Sequence, residues 1–242
     1  MIELAAGAVL LLGAWVHGAL GFGFPLVTTP ILVLFMEPRA AVLLTLVPTI
    51  AINLVSIAGE PRWREALRRY WPIPVFTAVG SLLGTRVLLA IDPGPVRIAL
   101  ALVLVAFLIL DREAGEGPER RVPGWGLALL GLVMGLMAGV VNIFSPVVVA
   151  FALVTRMHPG LMVAAFNLSF VTSKAGQLAG FATGDALDPE VLGLALLALP
   201  LILAVLWVGI RLRRRLPAAS YRRWLRRMLW VMAAGLIVSA LD

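Results

Sequence analysis

The sequence predicts an all-α polytopic membrane protein made of two inverted-topology repeats of about five helical segments each, with a broken or re-entrant helix opening each repeat. Three observations carry this. First, 61% of the 242 residues are hydrophobic and only 14% are charged, more apolar surface than one soluble core could hide. Second, runs such as 98–110 and 191–210 are apolar on every face, whereas lipid-facing barrel strands alternate strictly. Third, helix-breaking residues interrupt an apolar run near the start of each half, at 18–30 and again at 135–146.

Along the first half, residues 2–24 are long enough to span a bilayer, whose apolar core needs about 20 helical residues. The segment 25–36 is too short to do so, so 2–36 reads as a helix, a break around 21–30 and a short return helix. Residues 40–58 form a plain span carrying Thr45, Pro48, Thr49, Asn53 and Ser56. The stretch 61–70 holds Arg62, Arg64, Arg68 and Arg69, with Trp63, Tyr70 and Trp71 as interface markers. Residues 72–91 are a third span containing Arg86, Asp92-Pro93-Gly94-Pro95 is a tight turn, and 96–110 is a fourth. The polar loop 111–123 divides the chain into a first transmembrane repeat, 1–110, a cytoplasmic linker, and a second repeat, 124–242.

From Gly124 the pattern recurs: a long run broken at 139–146, a short return to Met157, a polar span 160–181, the acidic loop 184–188, a span from Pro189, the basic segment 211–227 and a last span. Aligning Pro30 with Pro146 puts Gly23 on Gly139 and Thr29 on Ser145; aligning Pro38 with Pro159 puts Asn53 on Lys174. The equivalent loops carry opposite charge: Arg62 to Arg69 answer to Asp185, Asp188 and Glu190, while Asp92 answers to the basic 211–227. Because basic loops stay cytoplasmic, the halves have opposite topology, provided that each broken segment returns to the side it entered. A simple eight-span count would place 211–227 and 62–69 on opposite sides.

The net charge of +7 therefore reads as a positive-inside pattern, not as a nucleic-acid footprint, and no nucleic-acid partner is expected. With no cysteine, disulfides and thiolate-ligated metals are out, and no cofactor or metal site is expected. An N-terminal signal peptide is not expected either, since Met1-Ile2-Glu3 lacks a basic region. All 13 Asp and Glu lie at span ends or in loops, which disfavours cation transport. Matched broken helices point instead to alternating access around a mid-membrane anion site, since helix N-termini at the breaks attract negative charge.

Gly23, Thr28, Thr29, Asn142 and Ser145 stand at the breaks as candidate binding residues, though hydroxyls commonly bond back to their own helix. Gly18 and Gly135 are read as packing residues. Lys174, the only lysine, lies deep in its span and is the candidate anion ligand, with snorkelling as the bland alternative. Asn53 would assist it, and Asn167 and Gln177, seven and three residues away, share its helical face. Arg86 is a gate or a snorkelling anchor, His17 is a structural hydrogen-bonding group or a proton carrier, and His158 is interfacial. An intramembrane hydrolase using Ser145 with His17 or His158, or a non-transport membrane protein, is the alternative; no Gly-x-Ser-x-Gly elbow supports catalysis.

With its duplicated halves, Gly21-Phe22-Gly23 followed by Pro30, the second-half Gly135, Gly139 and Pro146, and spans opening Pro38-Arg39-Ala40-Ala41-Val42 and Pro159-Gly160, the sequence resembles the sulfite exporter TauE/SafE family of membrane permeases. The likeness extends over essentially the whole chain, although the family's denser glycine run is reduced here to Gly21-Phe22-Gly23-Phe24-Pro25 and to Gly139 alone. It implies a non-enzymatic transporter of a small sulfur-containing oxyanion or organosulfonate, such as sulfite or sulfoacetate, in the cytoplasmic membrane. The expected partners are that small anion and the lipid bilayer, with a homo-oligomer left open.

Overall fold

The computed structural model describes residues 2–110, 121–155 and 157–213, together with Trp230, Ala234 and Val238. Most of the last span, most of the basic segment 211–227 and the body of the linker lie outside the described residues. Every regular element described is a helix: α1 (Ile2–Leu20), α2 (Phe24–Val33), α3 (Pro38–Ala58), α4 (Trp63–Tyr70), α5 (Pro72–Ala90), α6 (Pro93–Leu110), α7 (Gly124–Val141), α8 (Ser145–Thr155), α9 (Pro159–Thr183) and α10 (Pro189–Arg213). Five of them, Glu3–Leu20, Pro38–Ala58, Pro72–Ala90, Gly124–Val141 and Pro189–Leu212, are long and apolar enough to cross a membrane. The chain is a membrane protein.

Both breaks fall inside the stretches expected but are narrower, 21–23 and 142–144, because 24–30 already belongs to α2 and 139–141 still belongs to α7; the backbone shows why. After α1, Gly21 and Gly23 take φ of 84° and 105°, a left-handed conformation that side chains resist; a Cβ on Gly23 would meet nothing closer than Val16 at 3.9 Å, so conformation and not space calls for glycine. After α7, Asn142 takes φ 62°, the residue type besides glycine that tolerates this region best. Phe24 and Thr28 of α2 come to lie against Gly13, in the middle of α1. Hence α2 folds back along α1.

One register now relates the two halves, and it corrects half of the alignment read from sequence. Leu20 and Val141 end their helices, Gly21 and Asn142 are left-handed, and Phe24 and Ser145 begin the next helices, each pair 121 residues apart. Pro38 and Pro159 share that spacing, so the pairing of Asn53 with Lys174 holds. Pro30 with Pro146 does not: Pro25 is the true mate of Pro146, Gly18 that of Gly139, and Pro30 sits inside α2.

Helix directions follow from the contacts. Gly131, Gly135 and Gly139 of α7 press in turn on Ile73, Thr77 and Ser81 of α5, so these helices are parallel; α9 joins them, with Gly176, Gly180 and Gly184 against Ala78, Thr85 and Leu89. Arg39, at the start of α3, donates to the Leu88 and Ile91 carbonyls at the end of α5, so α3 runs the opposite way. Glu60, at its other end, meets Gly160 at the start of α9. Gly18 packs on Gly209, while the starts of α1 and α10 line one cavity, so α1 is parallel to α10. Gly18 and Gly135 thus act in packing, as expected.

Three apolar clusters result among the described residues: one built from α1, α2 and α3 with α6 and α10, one from α7, α8 and α9 with α4 and α5, and a smaller one in which Val42, Leu43 and Leu46 of α3 meet Leu88, Val96 and Phe181. The stretch 61–70, read from sequence as a basic loop, folds as the short helix α4, because Ala66 and Tyr70, one turn apart, reach the second core while Arg64, Arg68 and Arg69 stay outside. Arg64 and Arg69 lie 5.3 Å over the rings of Trp63 and Tyr70. One end of the bundle therefore carries Arg62, Arg64, Arg68, Arg69, Arg121 and Arg211 with Glu60 and Glu65; the other carries Glu3, Glu37, Asp92, Asp185, Asp188 and Glu190 with Arg39 and Arg97.

Candidate functional site

The second break places Asn142 at the meeting point of both halves. Its Nδ2 donates to Thr29 Oγ1 of α2 at 2.8 Å and to Thr45 Oγ1 of α3 at 2.9 Å. Its Oδ1 accepts from Lys174 Nζ and, at 3.3 Å, from Gln177 Nε2 of α9. Gln177 in turn accepts from Lys174 at 2.5 Å and donates to the Ala138 carbonyl at 2.7 Å, tying α9 to the end of α7. Lys174 is 1% exposed, so it does not snorkel. Its recorded partners are two neutral amide oxygens, and no Asp or Glu is buried among the described residues. A buried ammonium without a carboxylate is costly. The break thus holds the chain's one lysine amine with no acidic partner among the described residues, close to the start of α8, whose N-terminus adds a positive potential of its own.

Asn167 does not join this group. Seven residues bring a helix round to nearly the same face but about 10 Å along its axis, so Asn167 reaches the first break, where Nδ2 donates to the Gly21 carbonyl at 3.3 Å. One face of α9 therefore serves both breaks. His17, one turn before Gly21, bonds Ser56 Oγ of α3 through Nε2 at 2.9 Å. Positions 17 and 56 are the mates of 138 and 177, which are also hydrogen-bonded to each other. Each break also sets a phenylalanine on α9: Phe22 lies 6.4 Å from Phe166, and Phe144 stacks on Phe170 at 4.1 Å. Beside them, a cavity of about 10 Å³ lined by Phe22, Ser145, Phe166 and Phe170 leaves room for about one water. The site is closed in this conformation.

The model of the family described as Sulfite exporter TauE/SafE matches residues 5–236. The chain belongs to the TauE/SafE family. This is a family of membrane transporters, and the match spans both breaks and both halves. No curated protein matches, and no solved structure matches.

The remaining candidates in this TauE/SafE chain sort by geometry. Thr28 bonds back to the Phe24 carbonyl at 2.9 Å, and Asn53 Nδ2 bonds back to the Thr49 carbonyl at 2.6 Å, the local habit of polar residues in apolar helices. Asn53 makes no hydrogen bond to Lys174, yet its Oδ1 is buried and unpartnered. So are His17 Nδ1, Asn167 Oδ1 and Ser145 Oγ. Buried polar atoms are nearly always paired; a fifth unpartnered atom, Arg97 Nε, lies on α6 away from the breaks, and the other four belong to residues singled out by sequence. Gly23 shapes the start of α2. Arg86 is exposed on α5 and is not brought to either break. His158 is exposed and caps α9, its Nδ1 accepting from Gly160 N at 3.1 Å. Neither histidine bonds Ser145, so no nucleophile and base are assembled there. Two residues without a sequence assignment join the network, Thr45 and Ser56. The signal for both was the ladder Thr45, Thr49, Asn53 and Ser56, which places one polar face on an apolar span.

Proposed function

We propose that the protein carries a small sulfur-containing oxyanion or organosulfonate, such as sulfite or sulfoacetate, across the cytoplasmic membrane by alternating access. The observation that carries this reading is Lys174, buried at the second break with two amide oxygens and no carboxylate. An anion entering between the breaks supplies the missing negative charge, and the amide N–H groups of Asn142 and Gln177 and the hydroxyls of Thr29, Thr45 and Ser145 can turn to its oxygens. The same oxygens satisfy the first-turn N–H groups of α8.

Residues 1–110 and 124–242 act as inverted repeats joined by a cytoplasmic linker, 111–123. The 121-residue register and the opposite directions of α3 and α9 support this, and the basic end of the bundle faces the cytoplasm. Access alternates as Phe22 and Phe144 leave α9 on one side or the other.

Purified protein in liposomes should take up labelled sulfite or sulfoacetate, and Lys174→Met, of similar length but uncharged, should lower the initial rate at least about tenfold, the effect of losing one charge-assisted contact worth about 1.5–3 kcal/mol. Uptake by Lys174→Met at the wild-type rate would sink the assignment.

A further inference from the structure

Hydroxyls in this bundle bond back to carbonyls of their own helices, with one exception. On α5, Thr77 donates to the Ile73 carbonyl at 2.7 Å and Thr85 to the Ser81 carbonyl at 2.8 Å; on α9, Ser169 and Ser173 donate to the Ala165 and Phe170 carbonyls, both at 2.8 Å. Ser81 Oγ, between those two threonines, donates instead to the Ser173 carbonyl of α9 at 2.5 Å. Among the described residues no other hydroxyl reaches a carbonyl of another helix, and no other side-chain hydrogen bond joins α5 to α9. The parallel course of the two helices allows it, because side chains lean towards a helix's N-terminus while carbonyls point towards its C-terminus.

That carbonyl belongs to the turn that presents the buried amine. Lys174 follows it directly, and in an α-helix it also accepts from the backbone N–H of Gln177, four residues on. Its second lone pair takes the Ser81 hydroxyl. Two more contacts close a triangle of helices. Gln177 Nε2 donates to the Ala138 carbonyl of α7 at 2.7 Å, and a Cβ on Gly139, the next residue, would stand 2.5 Å from the Ser81 carbonyl oxygen. Ser81, itself fully buried, thus touches both helices whose approach brings Lys174 to Asn142, one through its hydroxyl and the other through its backbone.

We propose that Ser81 is a positioning residue for the anion transport proposed above, on which this inference rests: its hydroxyl, through the Ser173 carbonyl, holds the turn 173–177 so that the Lys174 amine and the Gln177 amide converge on Asn142. It acts through α9 and not on the anion. Without the hydroxyl the carbonyl keeps its helical bond to Gln177 N, so α9 stays a helix. What is lost is the restraint on where its polar face points. An anion must then gather Lys174, Gln177 and Asn142 as it binds, and that ordering weakens its affinity. The first break has no such tether, since α10, which packs on α1 as α5 packs on α7, contains no serine, threonine or tyrosine.

The test measures the initial rate of labelled sulfoacetate uptake against its concentration, in liposomes holding the full chain. Ser81→Ala should raise the concentration for half-maximal uptake about three- to tenfold, the worth of one hydrogen bond. Thr77→Ala, which removes an equally buried α5 hydroxyl bonded within its own helix, should leave it unchanged. Ser81→Cys, of similar shape but a weaker donor, should fall between. Misfolded protein lowers the maximal rate without moving half-saturation, so a merely structural role gives a different pattern. A second measurement needs no transport. Lys174 is the chain's one lysine, so isotope-labelled lysine gives a single NMR signal in detergent, which Ser81→Ala should shift or broaden and Thr77→Ala should leave in place. Ser81→Ala at the wild-type half-saturation, a Lys174 signal that it leaves unmoved, or equal effects from Thr77→Ala would each overturn the positioning role. Wild-type liposomes without saturable uptake would overturn the transport reading instead, and the Lys174 signal then still decides whether Ser81 positions that side chain.

Discussion

Asn142 bears two burdens that separate cleanly. Its left-handed backbone, at φ 62°, costs a residue with a bulky Cβ about 1–2 kcal/mol, and its amide links Thr29, Thr45, Lys174 and Gln177. Glycine, the residue at the equivalent position 21, removes the amide but suits the backbone. Asn142→Gly should therefore weaken sulfite-dependent thermal stabilisation strongly, while Asn142→Leu should do so and also unfold about 1–2 kcal/mol more easily in detergent. Equal unfolding midpoints for the two variants would argue that the turn carries no conformational demand. Much of this site could be read from the sequence, because a lone lysine deep in an apolar run has few structural excuses. Which polar residues serve it could not: periodicity gives a shared face, and Asn167 shares the face of Lys174, but its distance along the helix carries it to the other break.

At the scale of the helices, paired glycines decide how closely the halves meet. A Cβ on Gly139 would strike the backbone of Ser81 and Thr85, and one on Gly18 would strike the backbone of Leu206 and Ile210. Gly7, on the same helix as Gly18, meets nothing within 4 Å. Gly18→Ala and Gly139→Ala should each cost about 1–3 kcal/mol through overpacking, whereas Gly7→Ala should be neutral or stabilise by up to about 1 kcal/mol. Unfolding midpoints in detergent compare the three directly, and a Gly139→Ala protein as stable as Gly7→Ala would remove the close contact from the argument. Helix spans and both breaks were legible because bilayer thickness and glycine chemistry are local constraints. The register was half legible: Pro38 and Pro159 each open a helix, but Pro30 imitates Pro146 in composition while sitting inside α2. Helix α4 was hidden by its brevity, since its eight residues show two inward positions and no repeating stripe.

The whole molecule poses the question of sidedness. Loop charge alone leads to opposed halves only if each broken run returns to the face it entered, and the contact of Thr28 and Phe24 with Gly13 supports that return for α2. If each broken run crossed instead, the positions after α3 and after α9 would share a face. Opposed halves separate them, and in the bundle they lie at opposite ends: α4 beside the start of α7, and 184–188 beside the end of α5. The chain contains no cysteine, so single cysteines can be read without background. Under the topology proposed above, Glu65→Cys on α4 and Trp125→Cys at the start of α7, both exposed, should react with an impermeant maleimide only from the cytoplasmic side, since loops rich in arginine resist translocation. Leu187→Cys, before α10, should react only from outside. Labelling of positions 65 and 187 from the same side would reject inversion, and with it the arrangement in which an uncharged first break and a cationic second break meet across α9 from opposite faces of the membrane.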